Sequence, residues 1–289
     1  MNTTRRASCE GSGRELGGPQ HRQSLLGDEV SKMHDHKFGW IPDFPDHRDL
    51  KYRAVAPVKI LDHVDFRKTA FIPTIQDQGQ FSACTGNSTA SFFRYVHRML
   101  TLKDTDFPPS RLFIYNLARA VARTPLSFDG GATLRDCIKT LAKRGVCDEG
   151  LFPYVLNNLS KMPPMSAVSA AKTHKALSYR RIESLDEMLV CLSEGFPFVF
   201  GMMVYKSFMA PDVSKSGWVP MPTNDDVPEG GHAVWACGHD TATKTLVCAN
   251  SWGTGWGDQG YFYLPFAYAG NNDLVTDAWT IKLESEDAA

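Results

Sequence analysis

The sequence predicts an α+β fold, with a helical lobe first, an antiparallel β-barrel-like lobe second, and a cleft between them. Three observations lead there. After Cys84, apolar residues recur at Ala90, Phe93, Val96 and Leu100, the spacing of one helix face. Further helical stretches follow up to about residue 144. Beyond residue 172 the pattern changes to short runs of β-branched and aromatic residues, such as Phe198-Val199-Phe200 and Tyr261-Phe262-Tyr263. A chain of 289 residues is long enough for two half-domains around a cleft.

Taken in order, residues 1–37 are polar, rich in Gly, Ser, Arg and His, and without periodicity, which reads as an unpacked or extended arm. Residues 38–63 open on Phe38-Gly39-Trp40-Ile41-Pro42-Asp43-Phe44-Pro45. Proline at that density rules out a long helix and predicts an extended segment packed along the body. Residues 64–283 form the main domain. Its first part, 64–157, carries helices expected over 84–99, over 111–123 with Ser110 as N-cap, and over 133–144 with Gly145 closing the last turn. Residues 157–171 read as a linker. The second part, 172–283, holds strands expected near 196–200, 233–237, 245–249 and 260–264, with one helix over 184–193. Residues 211–228, with Trp218, read as a proline-stiffened loop on the cleft rim, His239 as a turn residue, and 284–289 as an acidic tail.

Bulk properties exclude several classes. The net charge is −1, so no basic footprint for nucleic acid or a membrane surface is expected. No apolar run approaches the roughly 20 residues of a membrane span. Arg5-Arg6 is not followed by an apolar core, so no signal peptide is expected and the compartment stays open. Seven cysteines make an odd number, and none forms a CxxC pair. Buried free thiols are expected, rather than a disulfide framework or a zinc ribbon, and no metal or organic cofactor is called for.

The chemistry concentrates at Gln78-Gly79-Gln80-Phe81-Ser82-Ala83-Cys84. A glycine turn running into a helix puts Cys84 at the helix N-terminus. Free N–H groups and the helix dipole there favour a thiolate and can receive an oxyanion. Gln78, on the turn, can add a side-chain N–H. A thiol nucleophile needs a base, and the base a holder. His232 in Gly230-Gly231-His232-Ala233 and Asn250 in Asn250-Ser251-Trp252-Gly253 are the candidates, with His232 at a Cys-to-His separation known for such pairs.

Those three motifs, in that order, resemble the papain-like cysteine peptidases, bacterial members in particular, over about residues 64–283. The resemblance implies a Cys84–His232–Asn250 triad, Gln78 in the oxyanion hole, and Trp252 covering the His–Asn hydrogen bond. It implies substrate paired on the Gly130-Gly131 backbone and an S2 pocket walled by Ala132, Thr133, Gly201, Gly230 and Ala233. Nearly all are small, so the pocket is expected to be roomy and apolar. It implies a peptide or protein substrate, with the N-terminal arm as a short propeptide threading the cleft; a sharper version pairs Cys9 with Cys84. Two positions depart from the family. Thr85 stands where Trp is usual, which predicts a more open and polar leaving-group side. Phe81 and Phe128 stand where a disulfide is common, which predicts a ring-to-ring contact in its place. A transpeptidase or ligase using the same thioester, a silent peptide-binding homologue, and an effector cutting one specific protein are the alternative readings.

Overall fold

The computed structural model describes residue 1 and residues 36–54, 58–101, 107–176 and 178–282. The arm through residue 35, with Cys9, and the acidic tail at 284–289 lie outside the described residues.

Three helices build the first lobe: α1, Cys84–Thr101; α2, Arg111–Val121; and α3, Leu134–Lys143. Their ends follow the local chemistry. Ser110 Oγ accepts from the N–H of Phe113, Thr133 Oγ1 from that of Asp136, and Gly145 leaves α3 with φ +80°. The α1 face carrying Phe92, Phe93, Tyr95 and Val96 is wholly buried, against α2 and the sheet. Two short helices, α4 (Leu156–Leu159) and α5 (Met165–Ala170), occupy the stretch expected to be a bare linker.

The second lobe is a sheet of seven antiparallel strands: β1 His63–Asp65, β2 Ser178–Ile182, β3 Phe198–Tyr205, β4 Pro228–Asp240, β5 Thr245–Ala249, β6 Tyr261–Pro265 and β7 Val275–Lys282. Their order is β2-β7-β3-β4-β5-β6, with β1 also on β4. Helix α6, Leu185–Ser193, is capped by Ser184. The sheet is open, not closed like a barrel. Both end strands are covered instead of meeting. Residues 50–52 lie along β2, with Arg181 N donating to Leu50 O and Tyr52 N to Arg181 O. Residues 217–219 lie along β6, through Tyr263 N to Gly217 O and Val219 N to Tyr263 O. A covered edge has no open ladder to offer a second strand.

Two further expectations are corrected here. The rim at 211–228 begins with helix α7, Pro211–Ser216, and Trp218 stacks on Tyr263 at 4.5 Å. His239 is not in a turn. It is buried within β4, and its Nε2 lies 2.7 Å from Leu61 O. Helix α8, Phe266–Ala269, precedes β7, and none of the described helices is long and apolar enough to cross a membrane.

A buried ionic cluster pins the chain where it enters the body. Asp43 N donates to Asp277 Oδ2 at 2.7 Å, and Trp279 Nε1 donates to Asp43 Oδ2 at 3.0 Å. Arg135 joins Asp49 and the Phe44 carbonyl, and Arg181 joins Asp277 at 2.8 Å. Burial, and then the neighbouring Asp277, push the Asp43 carboxyl up to about 6. Its ionised form therefore adds least to stability at neutral pH, and stability from this group falls as pH rises from about 4 towards 6.

Candidate active site

Cys84 opens α1 and is completely buried. The turn before it is fixed by Gly79 at φ +55°, whose N–H donates to Asp77 Oδ1 at 2.8 Å, and by Gln78 N donating to Ser251 O at 2.8 Å. Burial pushes the thiol up to about 11, while the backbone N–H groups of Ala233, Gly39 and Thr85 pull the other way.

His232 lies on β4, opposite Met202 of β3. Its Nε2 is 2.8 Å from Asn250 Oδ1, which also accepts from Ser251 N at 2.8 Å. The Ser251 N–H can only donate, so the atom it meets is the amide oxygen, an acceptor. Nε2 therefore carries the hydrogen, and Nδ1 is left as the basic nitrogen. Nδ1 has no hydrogen-bond partner. Burial holds the ring down to about 4, opposed by the Asn250 bond and reinforced by His36. The Trp252 ring lies 4.9 Å from the imidazole, and Trp252 is itself backed by Phe208 and Trp256. The structure thus brings Cys84, His232, Asn250, Gln78 and Trp252 to one place. The α1 N-terminus supplies one wall, and β4 with the segment after β5 supplies the other.

Residues 36–41 cross this site. The His36 ring stacks on Trp252 at 5.1 Å, and its Nε2 lies 3.3 Å from Asp77 Oδ1. The Lys37 carbonyl accepts from Gln78 Nε2 at 2.8 Å. Phe38 stands edge-on to His232 at 6.1 Å. Gly39 N and Trp40 N donate to Gly231 O, Ala132 N donates to Gly39 O, and Ile41 N donates to Ala132 O, so the segment runs parallel to the chain at Ala132. Trp40, 6% exposed, puts its indole against Gly201, where a β-carbon would come within 2.0 Å of the ring. Gly231 borders the same indole, and Gly230 borders the Phe38 ring.

The expected substrate residues therefore divide. Gly131, Ala132, Gly201 and Gly230 line the space taken by residues 38–41, whereas the Ala233 N–H faces the Cys84 sulfur. The backbone of residues 39–41 pairs with Ala132, next to the Gly130-Gly131 expected to pair with substrate, while the Gly131 N–H donates to the Tyr115 hydroxyl at 3.0 Å. Gly130 sits under the Phe128 ring. The Thr133 hydroxyl is used at the α3 cap, with Asp136. Thr85 is fully buried beside Cys137 of α3 and adds no polarity to the cleft surface. Phe81 and Phe128 do not pair: Phe81 packs on Tyr154 at 5.1 Å, and Phe128 is 65% exposed. Polar bonds through Asp129 join these two loops instead, since Asp129 Oδ2 accepts from Ser82 N at 2.9 Å. None of the six cysteines among the described residues forms a disulfide, and all six are buried, Cys84 included.

Sequence reasoning missed what surrounds the triad. The Ser251 hydroxyl donates to Gln78 Oε1 at 2.7 Å, which fixes the amide so that its nitrogen faces Lys37. The Tyr154 hydroxyl donates to Gln78 O at 3.0 Å, beneath the Arg111 guanidinium. A serine directly after a candidate triad asparagine was a usable signal; a tyrosine 76 positions from its partner was not.

Residues 60–278 match the family described as papain family cysteine protease. An uncharacterized peptidase C1-like protein of Acanthamoeba polyphaga mimivirus is 37% identical over 270 residues, covering 85% of this chain and 86% of that protein. Xylellain, a cysteine protease from Xylella fastidiosa, superposes with a TM-score of 0.78 at 34% identity, covering 87% of this chain and 97% of its own. Procathepsin B of Trypanosoma congolense shares the fold, with a TM-score of 0.68 at 16% identity over 89% of each chain. The match over most of the chain makes this protein a member of the papain family of cysteine proteases, a hydrolase of peptide bonds.

Proposed function

We propose that peptide hydrolysis here runs through Cys84, His232 and Asn250, and that residues 36–41 keep the enzyme blocked until they leave. The observation that carries the reading is the His232 ring, held through Nε2 by Asn250 with Nδ1 unpartnered. In this scheme Nδ1 takes the Cys84 proton, and the sulfur attacks the scissile carbonyl carbon. The carbonyl oxygen becomes an oxyanion, received by Gln78 Nε2 and the Cys84 N–H. The imidazolium then gives its proton to the departing amine, leaving a thioester that water resolves. The Lys37 carbonyl on Gln78 occupies the place of that oxyanion, and Trp40 that of a side chain in S2. A pocket filled by an indole favours substrates with a bulky apolar residue at P2.

The test is intact mass after treatment with an epoxide that alkylates activated thiols. The full chain is expected to react slowly. A chain starting at Pro42, which keeps Asp43 and its cluster, should gain one adduct promptly, and Cys84→Ala should abolish it. Equal slow reaction of both chains would count against the block; no adduct on either would count against the triad.

The same pair of chains should differ in pH dependence. In the covered site burial disfavours both charged forms, with the thiol near 11 and the ring near 4. Hydration on uncovering brings both back towards their ordinary values, and in the proposed site the mutual attraction of the two charges, with the α1 N-terminus, carries them past each other, so that a thiolate–imidazolium pair becomes the stable form between them. Iodoacetamide should therefore modify Cys84 of the shortened chain at a nearly flat rate from weakly acidic to weakly basic pH. In the full chain the rate should climb throughout. A simple rise centred near the ordinary thiol value of about 8.5 in the shortened chain would show that no ion pair forms.

A further inference from the structure

One carboxylate ties together three backbone segments that the reaction needs in register. Asp129 Oδ2 accepts from Ser82 N at 2.9 Å, two residues before the nucleophile. Its Oδ1 accepts from the Tyr115 hydroxyl at 2.7 Å. That hydroxyl oxygen accepts from Gly131 N at 3.0 Å, next to Ala132, which pairs with the chain in the cleft. A side chain on the 128–132 loop thus reaches the Cys84 loop on one side and, through α2, the pairing edge on the other.

The loop itself is held from beneath. Arg119 is fully buried, and its guanidinium stacks under the Tyr115 ring at 4.3 Å. It donates to the carbonyls of Leu126 and Phe128 and to Asn116 Oδ1. A cation fixed there orients the loop carbonyls, and a carboxylate at 129 closes the arrangement. The ring contact that would have joined the two loops is absent, because Phe81 packs on Tyr154 and Phe128 faces outward.

We propose that Asp129, acting through the Tyr115 hydroxyl, is a positioning residue that sets the nucleophile loop against the substrate-pairing edge at Gly131–Ala132. It does with two hydrogen bonds what a covalent crosslink between these loops would do, and it does so independently of redox conditions. Two oxygens are required, each facing a different donor. An asparagine accepts at one position only and presents a donor at the other. The inference rests on Cys84 being the nucleophile.

The experiment compares two probes on the full chain, read by mass mapping of the Cys84 peptide. Iodoacetamide needs the sulfur alone. An epoxysuccinyl dipeptide needs the sulfur and the pairing edge together. Both wait for the same displacement of residues 36–41, so the ratio of their rates removes that step. In Asp129→Ala the epoxide rate should fall roughly 10- to 100-fold relative to iodoacetamide, the loss expected for hydrogen bonds to a charged acceptor. Asp129→Asn should fall in between. Tyr115→Phe, which keeps the ring over Arg119 and so guards against misfolding of the alanine variant, should lower the ratio about 3- to 10-fold. A ratio within about twofold of the parent in both Asp129→Ala and Tyr115→Phe would overturn the proposal, as would equal slowing of both probes, which marks general loosening. A Cys84 inert to both probes in the full chain and in the chain starting at Pro42 alike would remove the catalytic reading itself, and this one with it.

Discussion

Exchanging Trp40 for alanine is expected to make Cys84 of the full chain react with a small alkylating reagent about a hundredfold faster. The indole is 6% exposed and lies on Gly201 and Gly231, with no hydrogen bond at Nε1. It is held by apolar contact alone. Losing a buried Trp costs about 3–5 kcal/mol, and each 1.4 kcal/mol is tenfold in an equilibrium. When residues 36–41 lift off, that burial is lost in the parent but not in the variant, so most of the difference appears in the opening equilibrium. The backbone bonds to Gly231 and Ala132 remain, so the segment still binds, only less often. Gly201→Val should act the same way from the other side, because its β-carbon would fall 2.0 Å from the indole. Rates of iodoacetamide capture at Cys84 decide the matter, and a change under threefold in both variants would mean that Trp40 does not hold the cleft closed.

His232→Ala is expected to lower kcat of the uncovered enzyme by roughly 10⁴-fold or more, in line with the loss of a triad histidine elsewhere. In the proposed scheme the ring takes the thiol proton and returns it to the leaving amine. Without it Cys84 attacks only through the small fraction ionised on its own. KM for a peptide with a bulky P2 residue should stay within a few fold, since Ala132 and Gly201, which hold Trp40 in the covered cleft and are proposed to hold substrate, are left untouched. Asn250→Ala should be milder, because it leaves the ring present but frees its Nε2 and its tautomer. Steady-state kinetics on a peptide amide separate the cases. A kcat within tenfold of the parent for His232→Ala would assign the base elsewhere.

What could be read in advance was the part with local chemistry. Ser110 and Gly145 announce helix ends by hydrogen-bonding capacity and by φ, and they stand where they were expected. Cys84, His232 and Asn250 announce themselves by residue type and motif. The strands that escaped notice lack such local marks. β1 is three residues long, and β2 carries Arg180 and Arg181, the second of which is polar only because Asp277 waits for it across the sheet. In β7, Asp277 at φ +56° breaks the alternation that would have marked a strand. His239, between Gly238 and Asp240, has the neighbours of a turn residue, yet pairing with Val64 keeps the strand extended there. The contacts made by Lys37, Gly39 and Ala132 are backbone atoms, which leave no trace in residue identity. Asp129 taking over the link expected of Phe81 and Phe128 was hidden for a related reason, since its partners are a backbone N–H and a tyrosine 14 positions away.

Pinning Asp43 into the ionic cluster gives the blocking segment a local concentration. Only Ile41 and Pro42 separate Trp40 from the anchored Asp43. A segment on so short a leash samples its site at an effective concentration of the order of millimolar. Even an intrinsic affinity near 0.1 mM would then keep about nine clefts in ten filled. Break the chain between Trp40 and Asp43, and the same peptide must compete from dilute solution. In a micromolar preparation its occupancy drops to about one in a hundred, without any contact having been weakened. On the proposal that residues 36–41 block the cleft, the switch is one of dilution: a first cut at Ile41 or Pro42 would commit the enzyme.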